Sequence, residues 1–563
     1  MRLLSLFFTL ACSGALAAES PSSSAKARFQ NIEQLLNDWD TEGAARELAE
    51  LEKQAPGEVE SALYFRGRIA FEEGRYEDAI ESLGRAKLAD KPGSYLRLAK
   101  DTAKLVLPYA QEESEHFIFL YPKGKDALLA PYALEALEAQ ARALKDDLGW
   151  LPPGKTRVEI VSNSDELARL STLTAKQIRT TGTIAICKFS KLMVTSPKAV
   201  VKGYDWLDTL AHEYTHLVVS QKSKNTVPIW LHEGLAKYLE SRWRGPAGGA
   251  MTPSGLALLG SRVRKNTLVP FSKMHPSMAL LPTAEDAATA FAEVYFALDW
   301  MMRQGGAPKL RALLELMAAG EPDKRAVEKT FSRSWASFEK AWLEHIRSQK
   351  FPEGLVPRSS NEKKQLVEGK SPPEGKKGRE ISFGDFAEVT DVDARQEAHL
   401  GELMRERKRQ EAAVEYFSRA VRRVGFLYES VSNKYALTLM ELTRLDEAKE
   451  ALEGTLKMHP GSAQSQVHLG RLLLRKRDYA AAKDAYRGAI AVNPFDYEVQ
   501  VGLLRACDAL KDSTCVARSQ KAASLLLKRS ETEVLELARR FSRDGSLVEA
   551  DEEFPASEIR DAG

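Results

Sequence analysis

Apolar and small residues between positions 26 and 110 recur three and four apart, the spacing of one face of a helix. Leu63, Gly67, Phe71, Gly74, Tyr76, Ala79, Leu83 and Ala86 run through two such helices and are followed by Pro92. Their small members fall where two antiparallel helices must approach closely. A weaker copy precedes them in Ala44, Leu48, Leu51 and Pro56, and Tyr95 to Val106 predicts a closing helix. Residues 395–530 repeat the pattern three times. The first unit carries Leu400, Gly401, Met404, Ala413, Phe417 and Ala420; the second carries Ala436, Leu439, Ala448, Leu452 and Pro460. The third carries Leu469, Gly470, Leu473, Tyr479, Ala482, Tyr486, Ala489 and Pro494. Pro460 and Pro494 lie 34 apart, as do Ala436 and Gly470.

A fixed period of 34 with matching chemistry resembles the tetratricopeptide repeat. That resemblance implies an all-α solenoid whose concave side binds a protein partner; an inert helical spacer is the other reading. Residues 112–349 read differently. His116 to Leu120 and Arg157 to Val161 predict strands, with a helix from Tyr132 to Leu148 between them. Thr183–Cys187 and Lys191–Thr195 predict a strand pair joined through Phe189-Ser190. Helices follow over Trp206–Val219, from Pro228 to about Trp243, and over Ala287–Gln304. Residues 350–390 are expected to be a flexible linker, since Ser371-Pro372-Pro373-Glu374-Gly375-Lys376-Lys377-Gly378 cannot build a core. Residues 543–563 form an acidic tail.

Composition narrows the setting. A net charge of +2 over 563 residues gives no bulk reason to bind nucleic acid. Arg2, the apolar run Leu3–Ala11 and Ala15-Leu16-Ala17 predict a signal peptide over residues 1–17 and export to a periplasm or the medium. A lipid anchor on Cys12 fits less well, because Thr9 stands where an aliphatic residue is usual. No later apolar run is long enough for a transmembrane span in the mature chain. An exported chain can form disulfides. Cys507 and Cys515 flank what reads as a helix–turn–helix corner, where a bridge fits; two buried thiols are the alternative.

The chemistry is concentrated between residues 206 and 243. His212-Glu213-Tyr214-Thr215-His216 matches H-E-x-x-H, and Glu233 follows His216 by seventeen positions. Imidazoles four apart share a helix face one turn apart, where both can reach one Zn²⁺. Glu213, beside the first, is placed to act as general base. Only 9 histidines occur in the chain, and two stand in this register.

Strands first, then H-E-x-x-H on the next helix, resembles the gluzincin metallopeptidases of the thermolysin-like clan, and within it the peptidase MA-like family fused to tetratricopeptide repeats. The resemblance implies an α+β peptidase domain over 112–349, flanked by all-α repeat segments at 26–110 and 395–530. It implies Zn²⁺ on His212, His216 and Glu233, with Glu213 as base. It also implies an oxyanion donor on the later helix: Tyr295, unless Phe291 holds the matching position and Tyr295 is a core aromatic. His232 is expected to point away from the metal, as a supporting or a surface residue. Asp208, one turn before His212, either orients that imidazole or is a solvated helix-start carboxylate. Trp230-Leu231-x-Glu233-Gly234-x-Ala236-x-Tyr238 is similar to M1 aminopeptidases, but their G-x-M-E-N segment is missing and the spacing from His216 to Glu233 is shorter. Lys237 occupies the position, four after the ligand Glu, where some thermolysin relatives carry an acid. The expectation is therefore an exported zinc endopeptidase acting on a peptide or protein substrate. The alternative is a tetratricopeptide scaffold with an inactive peptidase-like domain.

Overall fold

The computed structural model describes residues 23–351 and 386–544, apart from loop positions 58, 87–93, 172, 202 and 250. The expected signal peptide, Cys12, nearly all of the expected linker and most of the acidic tail lie outside the described residues. The chain forms two compact units. One comprises residues 1–196 and 207–366, the other residues 197–206 and 367–563.

The first unit begins with five helices: α1 (Ser23–Asn37), α2 (Thr41–Gln54), α3 (Val59–Glu72), α4 (Tyr76–Arg85) and α5 (Tyr95–Val106). A mixed sheet follows, made of β1 (Ala110–Glu113), β2 (Phe117–Tyr121), β3 (Thr156–Val161), β4 (Ala185–Lys188) and β5 (Lys191–Thr195). Helix α6 (Ala130–Leu148) crosses between β2 and β3; α7 (Ser164–Leu170) and α8 (Ala175–Thr181) follow β3. The strand order is β1-β2-β3-β5-β4. The inner pairs β2/β3 and β3/β5 are parallel, and the outer pairs are antiparallel. All five residues of β5 are buried, as a central strand covered on both faces requires.

Those two covers explain why the N-terminal helices are not separate. Phe117 on one face of β2 meets Tyr214 edge to face at 4.8 Å. On the other face, Leu120, Val161 and Met193 share a core with Phe71, Leu83 and Leu96 of the N-terminal helices. Residues 26–110 therefore supply half of the sheet's burial, although the sequence pattern divides them from 112–349 as a domain of their own. Gly67 of α3 shows what the small positions are for: an added Cβ would lie 2.5 Å from Leu83 of α4.

Seven further helices complete this unit: α9 (Trp206–Lys222, whose first residue belongs to the second unit), α10 (Ile229–Leu239), α11 (Pro253–Arg264), α12 (Ala284–Arg303), α13 (Gly306–Ala318), α14 (Asp323–Phe331) and α15 (Trp335–Ser348). Helix α10 stops at Leu239, short of the expected Trp243, because the chain turns back and Gly248 N–H donates to the Tyr238 carbonyl (2.9 Å).

The second unit is four antiparallel helix pairs and a final helix. The pairs are α16 (Val392–Glu406) with α17 (Gln410–Val424), α18 (Glu429–Glu441) with α19 (Leu445–Met458), α20 (Ala463–Arg475) with α21 (Tyr479–Ile490), and α22 (Tyr497–Leu510) with α23 (Ser513–Leu527); α24 is Glu531–Asp544. The sequence pattern showed three pairs; the fourth lacks the recurrent proline. Cβ atoms added at Gly401 and Gly470 would lie 3.0 and 2.8 Å from Phe417 and Tyr486. Cys507 and Cys515 are disulfide-bonded across the α22–α23 corner, and Cys187 in the first unit is a free thiol. Among the described residues, no helix is long and apolar enough to cross a membrane.

Candidate metal centre

Helix α9 is fixed by its apolar stripe. Leu207, Leu210, Ala211, Tyr214, Leu217 and Val218 are each at most 5% exposed. That burial turns His212 and His216 together to another face, their rings 4.7 Å apart and nearly perpendicular. Helix α10 brings the third group. Pro228 caps its start, and Gly234 lets α12 press against it: a Cβ there would meet the Leu298 side chain at 2.5 Å and the Val294 carbonyl at 3.1 Å. Glu233, the neighbour of that glycine, is held against the histidine pair.

The convergence is close. Glu233 Oε2 lies 3.8 Å from His212 Nε2 and 3.5 Å from His216 Nε2, and all three ligand atoms fall within 4.8 Å of one another. Ligands at tetrahedral angles about one zinc ion stand roughly 3.4 Å apart, given bonds of about 2.0–2.1 Å. Two imidazole nitrogens and one carboxylate oxygen are a donor set that zinc takes, with a fourth position left over. The three side chains are 17%, 11% and 24% exposed, so the group is sheltered but reachable. Burial opposes ionisation of Glu233, yet the two imidazoles outweigh it and hold this carboxyl well below the usual carboxylate range. Burial likewise pulls His212 down, but its hydrogen bonds to Glu233 and Glu240 push it up to about 10.

Residues 151–348 match the Peptidase MA superfamily model, and residues 36–95, 435–497 and 468–514 match the tetratricopeptide repeat. The chain carries a Peptidase MA superfamily domain with tetratricopeptide repeats. No curated protein matches the chain. Among solved structures, it is similar to native yeast LTA4 hydrolase at 13% identity and a TM-score of 0.29, over 74% of this chain and 66% of that one. It is similar to a MamA RS-1 double mutant at 16% identity and a TM-score of 0.25, over 31% and 97%. Yeast Tom70 gives 11%, 0.21, 95% and 99%. Likenesses this slight carry no weight for fold or activity.

Within the peptidase MA domain, Glu213 is set beside the ligand group. Burial pushes its carboxyl up, against the pull of His216 and His212, and the backbone N–H of Cys187 on β4 hydrogen-bonds it. The outer strand of the sheet and the acid next to the first ligand thus meet. His232 is neither at the surface nor idle: its ring stacks on His216 at 4.5 Å and 7°, and its Nε2 bonds the Ser220 hydroxyl (3.0 Å). Burial, helped by the neighbouring His216, pulls it down to about 3.

The partner of His212 Nδ1 is Glu240 (Oε2, 3.1 Å), which the sequence reading missed. A signal existed: Glu240 stands seven after Glu233, two helical turns along the same face. This carboxylate fixes the tautomer that leaves Nε2 toward Glu233. Lys237, read as the lost acid position, bonds Glu240 and anchors it. Asp208 accepts from Trp243 Nε1 (2.9 Å) and pairs with Arg244, at 13% exposure. It stands in the first turn of α9, partly buried, while the carboxylate on His212 Nδ1 is that of Glu240. Tyr295 packs against Tyr238 (5.8 Å between rings), with its hydroxyl 3.4 Å from where a Cβ on Gly248 would be. Burial, with Asp299, Tyr238 and Glu240 nearby, pushes it up to about 12.

A second acid–histidine group converges within the same 4.8 Å, made of Glu115, His116 and Glu138. In it the oxygens of Glu138 and His116 Nδ1 are already engaged. Glu138 accepts from the Ser114 hydroxyl (2.6 Å), the His116 backbone N–H (2.8 Å) and His116 Nδ1 (2.8 Å). It clasps the β1–β2 turn to α6.

Proposed function

We propose that this protein is an exported zinc-dependent peptidase of the gluzincin, thermolysin-like type, cutting within polypeptides. The observation that carries the reading is the meeting of His212 Nε2, His216 Nε2 and Glu233 Oε2 with Glu213 alongside. A zinc ion held by those three groups would supply Lewis acidity to the attacking water and to the scissile carbonyl. Glu213 takes the proton from that water as its oxygen bonds the carbonyl carbon. It then returns the proton to the nitrogen as the C–N bond breaks. The burial that raises its pKa brings it nearer the neutral range in which both transfers are facile. Glu240 keeps His212 in the productive tautomer. Strand β4, at one edge of the sheet, offers a substrate backbone a partner to pair with. Such pairing favours internal segments, in keeping with the missing amine anchor of aminopeptidases. Tyr295 is the proposed oxyanion donor, the repeats recruit a substrate or partner protein, and residues 1–17 direct export to the periplasm or medium.

The test measures zinc per chain and casein cleavage in wild type and Glu213→Gln. We expect about one zinc in both and a loss of about 10³ or more in cleavage in the variant. Equal cleavage, or no metal in wild type, would sink the reading.

A further inference from the structure

The two imidazoles that face Glu233 are held in unlike ways. His212 turns its Nδ1 to the Glu240 carboxylate (3.1 Å), and Lys237 holds that carboxylate in turn. His216 has no such support: its Nδ1 is buried and has no hydrogen-bond partner. A ligand histidine normally donates its far nitrogen to a carboxylate, a carbonyl or water, and that bond fixes the tautomer and the rotation of the ring. No such bond fixes His216, and a nitrogen sealed from solvent cannot borrow a water for the purpose.

What meets this ring instead is a flat face. The His232 ring lies 4.5 Å from that of His216, centroid to centroid, and the two planes differ by 7°. That separation is within the range of stacked aromatic pairs. A flat neighbour opposes tilting of the ring out of its own plane, a motion that would swing Nε2 away from Glu233 Oε2 (3.5 Å). The plate is itself pinned, since His232 Nε2 bonds the Ser220 hydroxyl (3.0 Å). Sequence spacing builds the clamp. His212, His216 and Ser220 stand four apart, so they follow one another along a single face of α9. His232 and Glu233 are neighbours on α10. Two consecutive residues of α10 thus meet the second imidazole, Glu233 at its Nε2 and His232 across its face.

We propose that His232 is a positioning residue: its ring is a plate that sets the rotation of His216, in place of the hydrogen bond that His212 has. The inference rests on the metal site proposed above. It makes the flat shape of His232 the property that counts, so an apolar ring serves there as well as an imidazole.

The zinc affinity of the full mature chain, measured by competition with a chromogenic chelator, tests it. Ser220→Ala combined with His232→Phe removes both hydrogen-bonding partners together, which costs little, and keeps the plate. His232→Leu fills the space without a plane. We expect the double variant to bind zinc within about threefold of wild type, and His232→Leu to bind at least about tenfold more weakly. Co²⁺ loaded in place of zinc reads the ligand geometry: its visible absorption should match wild type in the double variant and differ in His232→Leu. Thermal unfolding of the metal-free proteins checks that each variant folds. If His232→Leu does not fold, His232→Met, also without a ring, replaces it with the same expectation. Equal affinity in wild type and the ringless variant would overturn the proposal. So would a double variant as weak as the ringless one, which would make the polar atoms of His232 the cause. A wild type that binds no zinc removes the metal site itself, so the two failures are told apart.

Discussion

Two groups of acids and histidines converge within 4.8 Å among the described residues, and their surroundings differ. At His212, His216 and Glu233 the three ligand atoms face one another, and a further carboxylate, Glu240, holds the far nitrogen of the first ring. At Glu115, His116 and Glu138 the oxygens of Glu138 already accept from a hydroxyl, a backbone N–H and the imidazole. Proximity is common to both. What separates them is whether the lone pairs are left over once the fold has taken its share.

The largest effect should come from removing a ligand. Structural zinc sites bind with about 10–16 kcal/mol, so the loss of one of three protein ligands should cost about 4 kcal/mol, roughly a thousandfold in affinity. His216→Ala is therefore expected to lose the metal in dialysis against a weak chelator, while His116→Ala keeps the wild-type zinc content by mass spectrometry. Metal loss in both, or in neither, would erase the distinction. Next comes Glu240→Gln, which keeps the shape and removes the charge behind His212; metal affinity should fall by about 10–100-fold. An unchanged affinity would make Glu240 a bystander. Gly234→Ala should cost about 1–3 kcal/mol in stability by overpacking against α12, and should loosen Glu233 from the pair. Thermal unfolding and zinc titration read the two consequences separately.

The smallest effect concerns the clasp. Burial opposes ionisation of Glu138, but Ser114 and His116 outweigh it and lower its pKa. A carboxylate depressed in the folded state stabilises the protein above its unfolded value, about 4.3, and loses that contribution as pH falls through the folded value. His116→Ala removes part of the depression, so acid unfolding should begin a few tenths of a pH unit higher, with no change at pH 7 in zinc content.

Most of the site was legible because helix geometry converts spacing into direction. Positions four apart place two rings on one face, and the apolar stripe of α9 says which face is free. Glu240 escaped notice because a lysine sits at the position where a supporting acid was sought, and that lysine in fact holds the acid one turn further on. Asp208 misled for the opposite reason: it occupies the right turn of the helix, but Trp243 and Arg244 arrive from a distant loop to claim it. In the fold, periodicity revealed three of the second unit's four helix pairs and all strands but β1, whose alternation is intermediate and exposed (Ala110–Glu113). It could not reveal that α3 to α5 close one face of the sheet. The same alternate residues would suit a free repeat.

The sixteen-residue offset within the first three helix pairs of the second unit has its own consequence. Gly401 faces Phe417 and Gly470 faces Tyr486, whereas the intervening repeat sets Ala436 at the same offset from Leu452. In these three repeats the two rings stand opposite glycines and the leucine stands opposite an alanine at the same offset. Neither partner can be traded between repeats alone, because a methyl set against Tyr486 would intrude to 2.8 Å. The two positions are sterically coupled, so a change at one is tolerated only with a matching change at the other.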